Sequence, residues 1–504
     1  MIGTYSKKGL IIGVSFLFLA LLFPKVASAI EMERISGKDR IQTAVEVAKK
    51  GWPNGSDVVV LARANDFPDA LAGTPLAYQE NAPILLTSST YISSKTAQEI
   101  ARLGASKVII LGGKGAISNS VEQHLNEEMD LAVQRISGQD RYETAANIAK
   151  ELDAYDTAVV ASGEDFPDAL SISAYAAREG YPILLTTKGK LPSVSQKLVN
   201  ETSKNYLIGG EGVISASVEN AISSSKRVSG SDRFETSRAV ADEFGREDAD
   251  QLYVATGFDF ADALAGSVLA AKTNDPLMLI EKNYVPNATK LFIDENGVKS
   301  FRILGGTGAI DQYVGTELSL PIQLLLVNKQ RGIPADYVPN IREPDVPFPF
   351  REDHEKRNMN AIAVPHLEEL FQAAEKAGLD LYAQSGYRSY ARQKAIHDRL
   401  VEQYGEAYAN RVSAKPGHSE HQTGLAMDVT SPDVNYGLVE AFANTEEGRW
   451  VAQHAHEYGF IIRYPEEKES VTGYKYEPWH LRYVGETIAS YMKDNERVLE
   501  EYLR

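Results

Sequence analysis

The chain repeats itself three times, and this limits its fold more than any other feature. Arg34-Ile35-Ser36-Gly37-Lys38-Asp39-Arg40 returns as Arg135-Ile136-Ser137-Gly138-Gln139-Asp140-Arg141 and again as Arg227-Val228-Ser229-Gly230-Ser231-Asp232-Arg233. Asp66-Phe67-Pro68-Asp69-Ala70-Leu71 returns as Asp165-Phe166-Pro167-Asp168-Ala169-Leu170, then as Asp259-Phe260-Ala261-Asp262-Ala263-Leu264. Each unit ends on an apolar run and two glycines: Ile110-Leu111-Gly112-Gly113, Leu207-Ile208-Gly209-Gly210 and Ile303-Leu304-Gly305-Gly306. A period of roughly 90 to 100 residues makes each copy a small domain rather than a turn of a solenoid. Within a copy the pattern alternates. Val58–Ala62 is a continuous apolar run, as in a strand buried on both faces. The spacing then predicts a helix starting near Pro68, strands at 84–86 and 107–111, and helices around 95–103 and from Ser120. Strand–helix alternation implies parallel sheets covered by helices on both faces.

These units resemble the cell-wall-binding repeat 2 of Gram-positive exported proteins, which occurs in tandem threes. The resemblance implies that residues 30–132, 133–225 and 226–320 hold the chain to anionic wall polymers. The third copy departs from the pattern at Ala261 and Ile280. Ligands of open α/β sheets sit at the carboxyl ends of strands, where the Phe-Pro-Asp loops fall. Carboxylates repel a polyanion, so Asp69, Asp168 and Asp262 are expected to cap helices. The arginines flanking each Ser-Gly step, Arg34, Arg40, Arg135, Arg141, Arg227 and Arg233, are the polymer-binding candidates, because guanidinium pairs bidentately with phosphate or carboxylate. Their alternative is a salt bridge to the neighbouring Asp39, Asp140 or Asp232.

At 504 residues the chain is too long for a single core. Its net charge of −17 argues against nucleic acid as a partner. There is no cysteine, which excludes disulfides, thiolate metal ligands and a lipid-accepting cysteine. Residues 1–29 read as a secretory signal: Lys7 and Lys8, an apolar run from Gly9 to Phe23, then Ala27-Ser28-Ala29 as a cleavage site. That run falls short of the ~20 residues of a membrane span, so no stable span is expected after cleavage and the mature chain is expected in the wall of a Gram-positive bacterium. Residues 321–349 hold six prolines and read as a linker leading into a last domain over 350–504.

Eight of the nine histidines follow residue 350, so metal chemistry belongs to that end. The string Ser419-Glu420-His421-Gln422-Thr423-Gly424-Leu425-Ala426-Met427-Asp428 is followed by Glu477-Pro478-Trp479-His480. His421, Asp428 and His480 give two imidazoles and one carboxylate, a set that leaves a fourth position open on Zn2+. Glu477 remains as an acid able to take a proton from water. Trp479 is expected beneath His480, and Tyr474 and Tyr476 are usable as pocket walls. His418, His454 and His456 read as structural or surface residues.

The whole pattern is similar to the zinc site of VanY-type D-alanyl-D-alanine carboxypeptidases, a family of bacterial wall peptidases that includes L,D-carboxypeptidases. The resemblance covers about the last third of the chain and includes the lead-in Leu326-Val327-Asn328-Lys329. It implies an α+β zinc peptidase of D,D-peptidase/Hedgehog-like fold acting on peptidoglycan stem peptides. Such an enzyme must recognise a free terminal carboxylate, and a fixed cation near the metal does so. Arg388 in Ser385-Gly386-Tyr387-Arg388-Ser389 is the candidate, with Gln393 and Ser419 as neutral partners; the family pattern matches at all three. The D,D reaction on pentapeptide ends is expected first, with the L,D reaction on tetrapeptides as its alternative. A wall-binding protein without catalysis is the reading from a different class.

Overall fold

The structure is a computed structural model that describes residues 31–245 and 249–503. The signal expected over 1–29 lies outside the described residues. Among the described residues no helix is long and apolar enough to cross a membrane.

Each repeat contributes three strands of a four-stranded parallel sheet. The strands are β1 (Glu31–Ile35), β2 (Val58–Arg63), β3 (Ile84–Thr87), β4 (Lys107–Leu111), β5 (Ala132–Ile136), β6 (Thr157–Ser162), β7 (Ile183–Thr186), β8 (Lys204–Ile208), β9 (Ser225–Val228), β10 (Gln251–Thr256), β11 (Leu277–Ile280) and β12 (Ser300–Leu304). The sheet orders are β3-β2-β4-β5, β7-β6-β8-β9 and β11-β10-β12-β1. The fourth strand of each sheet is therefore handed over by another unit. β5 begins the second repeat yet completes the first sheet, and β9 begins the third yet completes the second. β1, at the start, completes the last sheet, with Glu31 opposite Ser300 and Ile35 opposite Leu304. The central strands are buried along almost their whole length, as their continuous Val/Ile/Leu runs require.

The Asp-Phe motifs lead into the innermost helices, Gly73–Gln79, Pro167–Glu179 and Ala261–Thr273. The second and third are buried on nearly every side, so they are rich in Ala, Ser and Gly instead of showing one apolar stripe. Thr74 and Ser267 share a buried hydroxyl hydrogen bond of 3.0 Å across this centre. Phe67, Phe166 and Phe260 meet edge-to-face at 5.5 to 6.3 Å, one from each unit. One hydrophobic core runs through all three units.

Two expectations are corrected here. The first copy's helix begins at Gly73, not near Pro68. Pro75 has no N–H, and its ring would clash with the carbonyl four residues back, so it fits only in a first turn. The second and third copies carry Ala174 and Val268 at that position, and their helices start at Pro167 and Ala261. The second aspartate of each motif is also not a cap in the second and third copies. The N-caps there are Phe166 and Phe260, and Asp168 and Asp262 are buried in the first turn. The preceding aspartates accept backbone hydrogens instead: Asp165 from Phe166 N (2.9 Å) and Asp259 from Ala261 N (3.2 Å).

The last domain is built on an antiparallel sheet of β15 (Tyr382–Ser385), β16 (Ala426–Thr430), β17 (Phe460–Tyr464) and β18 (Glu477–Tyr483), in the order β15-β16-β18-β17. A two-residue ladder of β13 (Ile341–Arg342) and β14 (Met359–Asn360) precedes it. Helix Val364–Lys376 covers the sheet through Leu367, Leu370, Phe371 and Ala374, which share a core with Met427, Val429 and Leu481. The proline-rich lead-in is not loose. Leu325, Val327, Ile333 and Tyr337 form a buried cluster with Leu291 of the third repeat. The buried Asn287 amide there donates to Leu326 O and Gly332 O, both at 2.9 Å.

Candidate active site

β16 and β18 are neighbours with Asp428 directly opposite His480, and β15 sets Ser385 opposite Asp428. His421 precedes β16 in a one-turn 3-10 helix, Glu420–Thr423, that Gly424 ends at φ +69°. A side chain at Gly424 would also sit 2.9 Å from Asn360 N, so strained backbone and close approach both require glycine there. The three side chains converge. His421 Nε2 is 3.4 Å from Asp428 Oδ2, and His480 Nδ1 is 3.0 Å from Asp428 Oδ1. One ligand atom from each lies within 4.8 Å of the others, and all three residues are buried.

The donor set fits a cation. Asp428 Oδ1 is buried without a hydrogen-bond partner, although such atoms are almost always satisfied. Burial, helped by Arg388 and His480, pushes His421 down to about 3, so its imidazole is neutral, as a ligand must be. Burial also opposes charge on His480, but Asp428 and Glu420 outweigh it and raise it to about 9. The buried Asp428 carboxylate thus demands a positive neighbour, which a divalent ion would provide. His421 Nδ1 is turned to Gly386 O at 2.8 Å, leaving Nε2 toward the ion position.

Glu477 stands at the start of β18 with Oε2 3.8 Å from His480 Nδ1. Its side chain is 29% exposed, the most open of the four. Burial, with Asp428 nearby, raises its carboxyl to about 7 against the pull of His480 and Arg388. Arg388 is half-buried, and desolvation lowers its pKa. It forms no ion pair among the described residues; NH1 donates to Gln393 Oε1 at 2.9 Å. Gln393 is fully buried and is fixed by its own donation to Ala414 O (2.6 Å) and Ser413 Oγ (3.0 Å). Ser419 is buried beside His421 in sequence.

The ring on His480 is Tyr464, 5.0 Å away, not Trp479. Adjacent residues of a strand face opposite sides, so Trp479 packs on the hydrophobic core behind the sheet. Tyr474 stacks on Tyr464 at 4.6 Å, with Lys329 Nζ 4.7 Å above Tyr474. His418 turns Nδ1 to Asn328 O (2.8 Å), and His454 pairs with Glu457 (2.9 Å).

One residue inside the motif had no role in the sequence reading. Glu420 is wholly buried; Oε1 accepts from Arg463 Nε (2.7 Å) and Arg482 NH1 (2.6 Å), and Oε2 faces His480 Nε2 at 3.6 Å. The alternation of β17 and β18 places Arg463 and Arg482 inward, but no local pattern announces a buried arginine.

In the repeats, Arg34, Arg135 and Arg227 donate to the carbonyls of Gly305, Gly112 and Gly209 at 2.6 to 2.8 Å. Arg135 and Arg227, 12% and 15% exposed, also pair with Glu122 and Glu219. Asp39, Asp140 and Asp232 are helix caps, not arginine partners. Arg40, Arg141 and Arg233 donate to the carbonyls of Ala64, Gly163 and Gly257; Arg40 lies over Phe260 and pairs with Asp259 (2.7 Å), Arg141 lies over Phe67, and Arg233 lies over Phe258 and reaches Asp165 at 3.7 Å.

The profile of the family described as VanY, D-alanyl-D-alanine carboxypeptidase, matches residues 356–486. That of cell wall binding domain 2 matches 34–122, 135–219 and 227–315. The chain belongs to both families. Over 180 residues it is 52% identical to YodJ of Bacillus subtilis (strain 168), which is 36% of this chain and 66% of that protein. Among solved structures it is similar to Cwp6 from Clostridium difficile, with 25% identity, a TM-score of 0.55, and coverage of 74% of this chain and 62% of that one. It is also similar to the LdcB LD-carboxypeptidase, with 51% identity over 36% of this chain and 85% of that one, at a TM-score of 0.35. The chain spans no more than about two thirds of the curated relatives it matches, 66%, 63% and 40% for three of them.

Proposed function

We propose that this protein is a zinc-dependent D-alanyl-D-alanine carboxypeptidase that trims peptidoglycan stem peptides, held on anionic wall polymers by its three repeats. One observation carries the reading: His421, Asp428 and His480 converge within ligand distance of one another, beside a half-buried Arg388 with no ion-pair partner among the described residues. Zinc held by these three would acidify water and polarise the scissile carbonyl. Arg388 docks the terminal carboxylate, oriented by Gln393, with Ser419 as a neutral partner. Glu477, raised toward neutrality, takes the proton of the attacking water and returns it to the leaving D-alanine amine. A D,D-peptidase/Hedgehog-like fold is consistent with ligands borne on a central antiparallel sheet. For the polymer, Arg40 and Arg233 are better placed than Arg135 and Arg227 because their side chains are more exposed, although each also donates to a backbone carbonyl.

The test is D-alanine release from a stem pentapeptide and from the matching tetrapeptide. Release from the pentapeptide, lost on exhaustive chelation and restored by zinc, is expected. Release from the tetrapeptide alone would assign the L,D reaction, and release from neither would refute the carboxypeptidase reading. Sedimentation of the chain with purified walls, weakened by salt, tests the anchor.

A further inference from the structure

His421 and His480 are oriented by different means. His421 uses a backbone carbonyl, Gly386 O. His480 lies between two carboxylates, with Nδ1 3.0 Å from Asp428 and Nε2 3.6 Å from Glu420. An imidazole ligand presents a lone pair on one nitrogen and carries its proton on the other. An ionised carboxylate only accepts hydrogen bonds, so the nitrogen facing Glu420 is the one that suits the proton.

The setting of Glu420 explains why it stays ionised and aimed. Arg463 and Arg482 are both fully buried, and both grip Oε1. Oε2 is left without a hydrogen-bond partner on any residue nearer than His480. Glu500 pairs with Arg463 through both oxygens, at 2.7 and 2.8 Å, so two guanidiniums balance two carboxylates. Burying four charges is a poor way to gain stability compared with apolar side chains of similar volume. This cluster ends on a candidate metal ligand, where orientation has a direct use.

The lead-in segment completes the cluster. Arg482 NH2 donates to Gln323 O (3.0 Å) and Leu325 O (2.7 Å), and Asn328 Nδ2 donates to Glu500 Oε1 (3.2 Å). The same segment is clasped by Asn287 of the third repeat. A continuous set of contacts therefore runs from the wall-binding repeats to His480.

We propose that Glu420 is a positioning residue for His480: it holds the imidazole with Nε2–H turned inward and the Nδ1 lone pair facing the metal position. Arg463 and Arg482, fixed by the lead-in segment, keep it in place. This rests on the reading of His480 as a zinc ligand.

The test is Glu420→Gln in the full chain. Zinc affinity, measured by competition with a chromophoric chelator, should fall about 10- to 100-fold. With zinc saturating, kcat for the stem peptide should fall while KM stays. In the metal-free protein above pH 9, where His480 is neutral, nitrogen NMR of His480 should show the Nε2–H tautomer lost as the dominant form. Glu420→Gln leaves an arginine short of a partner and can fail to fold. The double variant Glu420→Gln, Arg482→Met keeps the charges balanced and is read in the same way. A folded variant with wild-type zinc affinity and wild-type His480 tautomer overturns the proposal and leaves the carboxypeptidase reading standing. A wild-type chain that binds no zinc overturns both.

Discussion

Asp168 offers a sharp test of how the repeats are held together. It lies in the first turn of helix Pro167–Glu179 and is 9% exposed. Its Oδ2 packs on Gly209 at the end of β8, where an added Cβ would come within 2.3 Å of it. Burial, with Asp165 adding repulsion, raises its carboxyl from 3.8 to about 7, and Arg233 offsets only part of this. The folded state therefore binds a proton that the unfolded chain has released anywhere between those two values. Stability linked to this group is fully present below pH 3.8 and is lost as pH rises through about 7. At about 1.4 kcal/mol per pH unit the loss comes to about 4.5 kcal/mol, and denatured-state structure lowers it toward 2. Asp168→Asn keeps the shape and stays neutral. In urea unfolding at pH 4, 6 and 8, the variant should match the wild type at pH 4 and be more stable by about 2 to 4.5 kcal/mol at pH 8. All other titrations cancel in the difference. A difference that does not grow with pH, or an asparagine variant weaker at pH 8, would show that the carboxylate is ionised and stabilised in place.

Three further outcomes are expected. Glu477→Gln should retain one zinc per chain by metal analysis but lose about 10²- to 10⁴-fold in kcat, because only the proton carrier is removed. Arg388→Ala should raise KM for a stem peptide with a free terminus by about 10- to 100-fold, the worth of a charge-assisted hydrogen bond. It should leave the C-terminally amidated peptide unaffected; equal losses on both would place Arg388 elsewhere than at the carboxylate. Leu291→Ala should cost about 2 to 5 kcal/mol and expose the lead-in around Leu325–Tyr337 to limited proteolysis, because its cavity opens between the third repeat and the peptidase.

What the sequence made legible is what lies in one short stretch. The apolar runs at β2 and β4 read as strands because each is a short, continuous stretch rich in Val, Ile and Leu and bounded by turn residues. His421, Asp428 and His480 stand in strings whose spacing is itself the signal, and the structure brings them together across paired strands. β1, β5 and β9 were not foreseen. Glu31-Met32-Glu33-Arg34-Ile35 is half polar, as an edge strand is, and its partner β12 lies far along the chain. Glu420 was in plain view, but Arg463, Arg482 and Glu500 are distant in sequence. Trp479 was misplaced for a simpler reason: residues next to each other in a strand do not share a face. Pro75 likewise carried the correct start of its helix.

The handing-on of strands has a mechanical consequence. In an open array each unit would pass a strand forward and the last would lack one, so copies could be added without limit. Here β1 already fills the place beside β12, so the set closes at three and a fourth copy has no strand to receive. The closure also decides how load is carried. β1 and β12 run parallel, so tension between the start of the chain and the peptidase pulls them from opposite ends. All the hydrogen bonds between them then resist together in shear instead of opening one at a time.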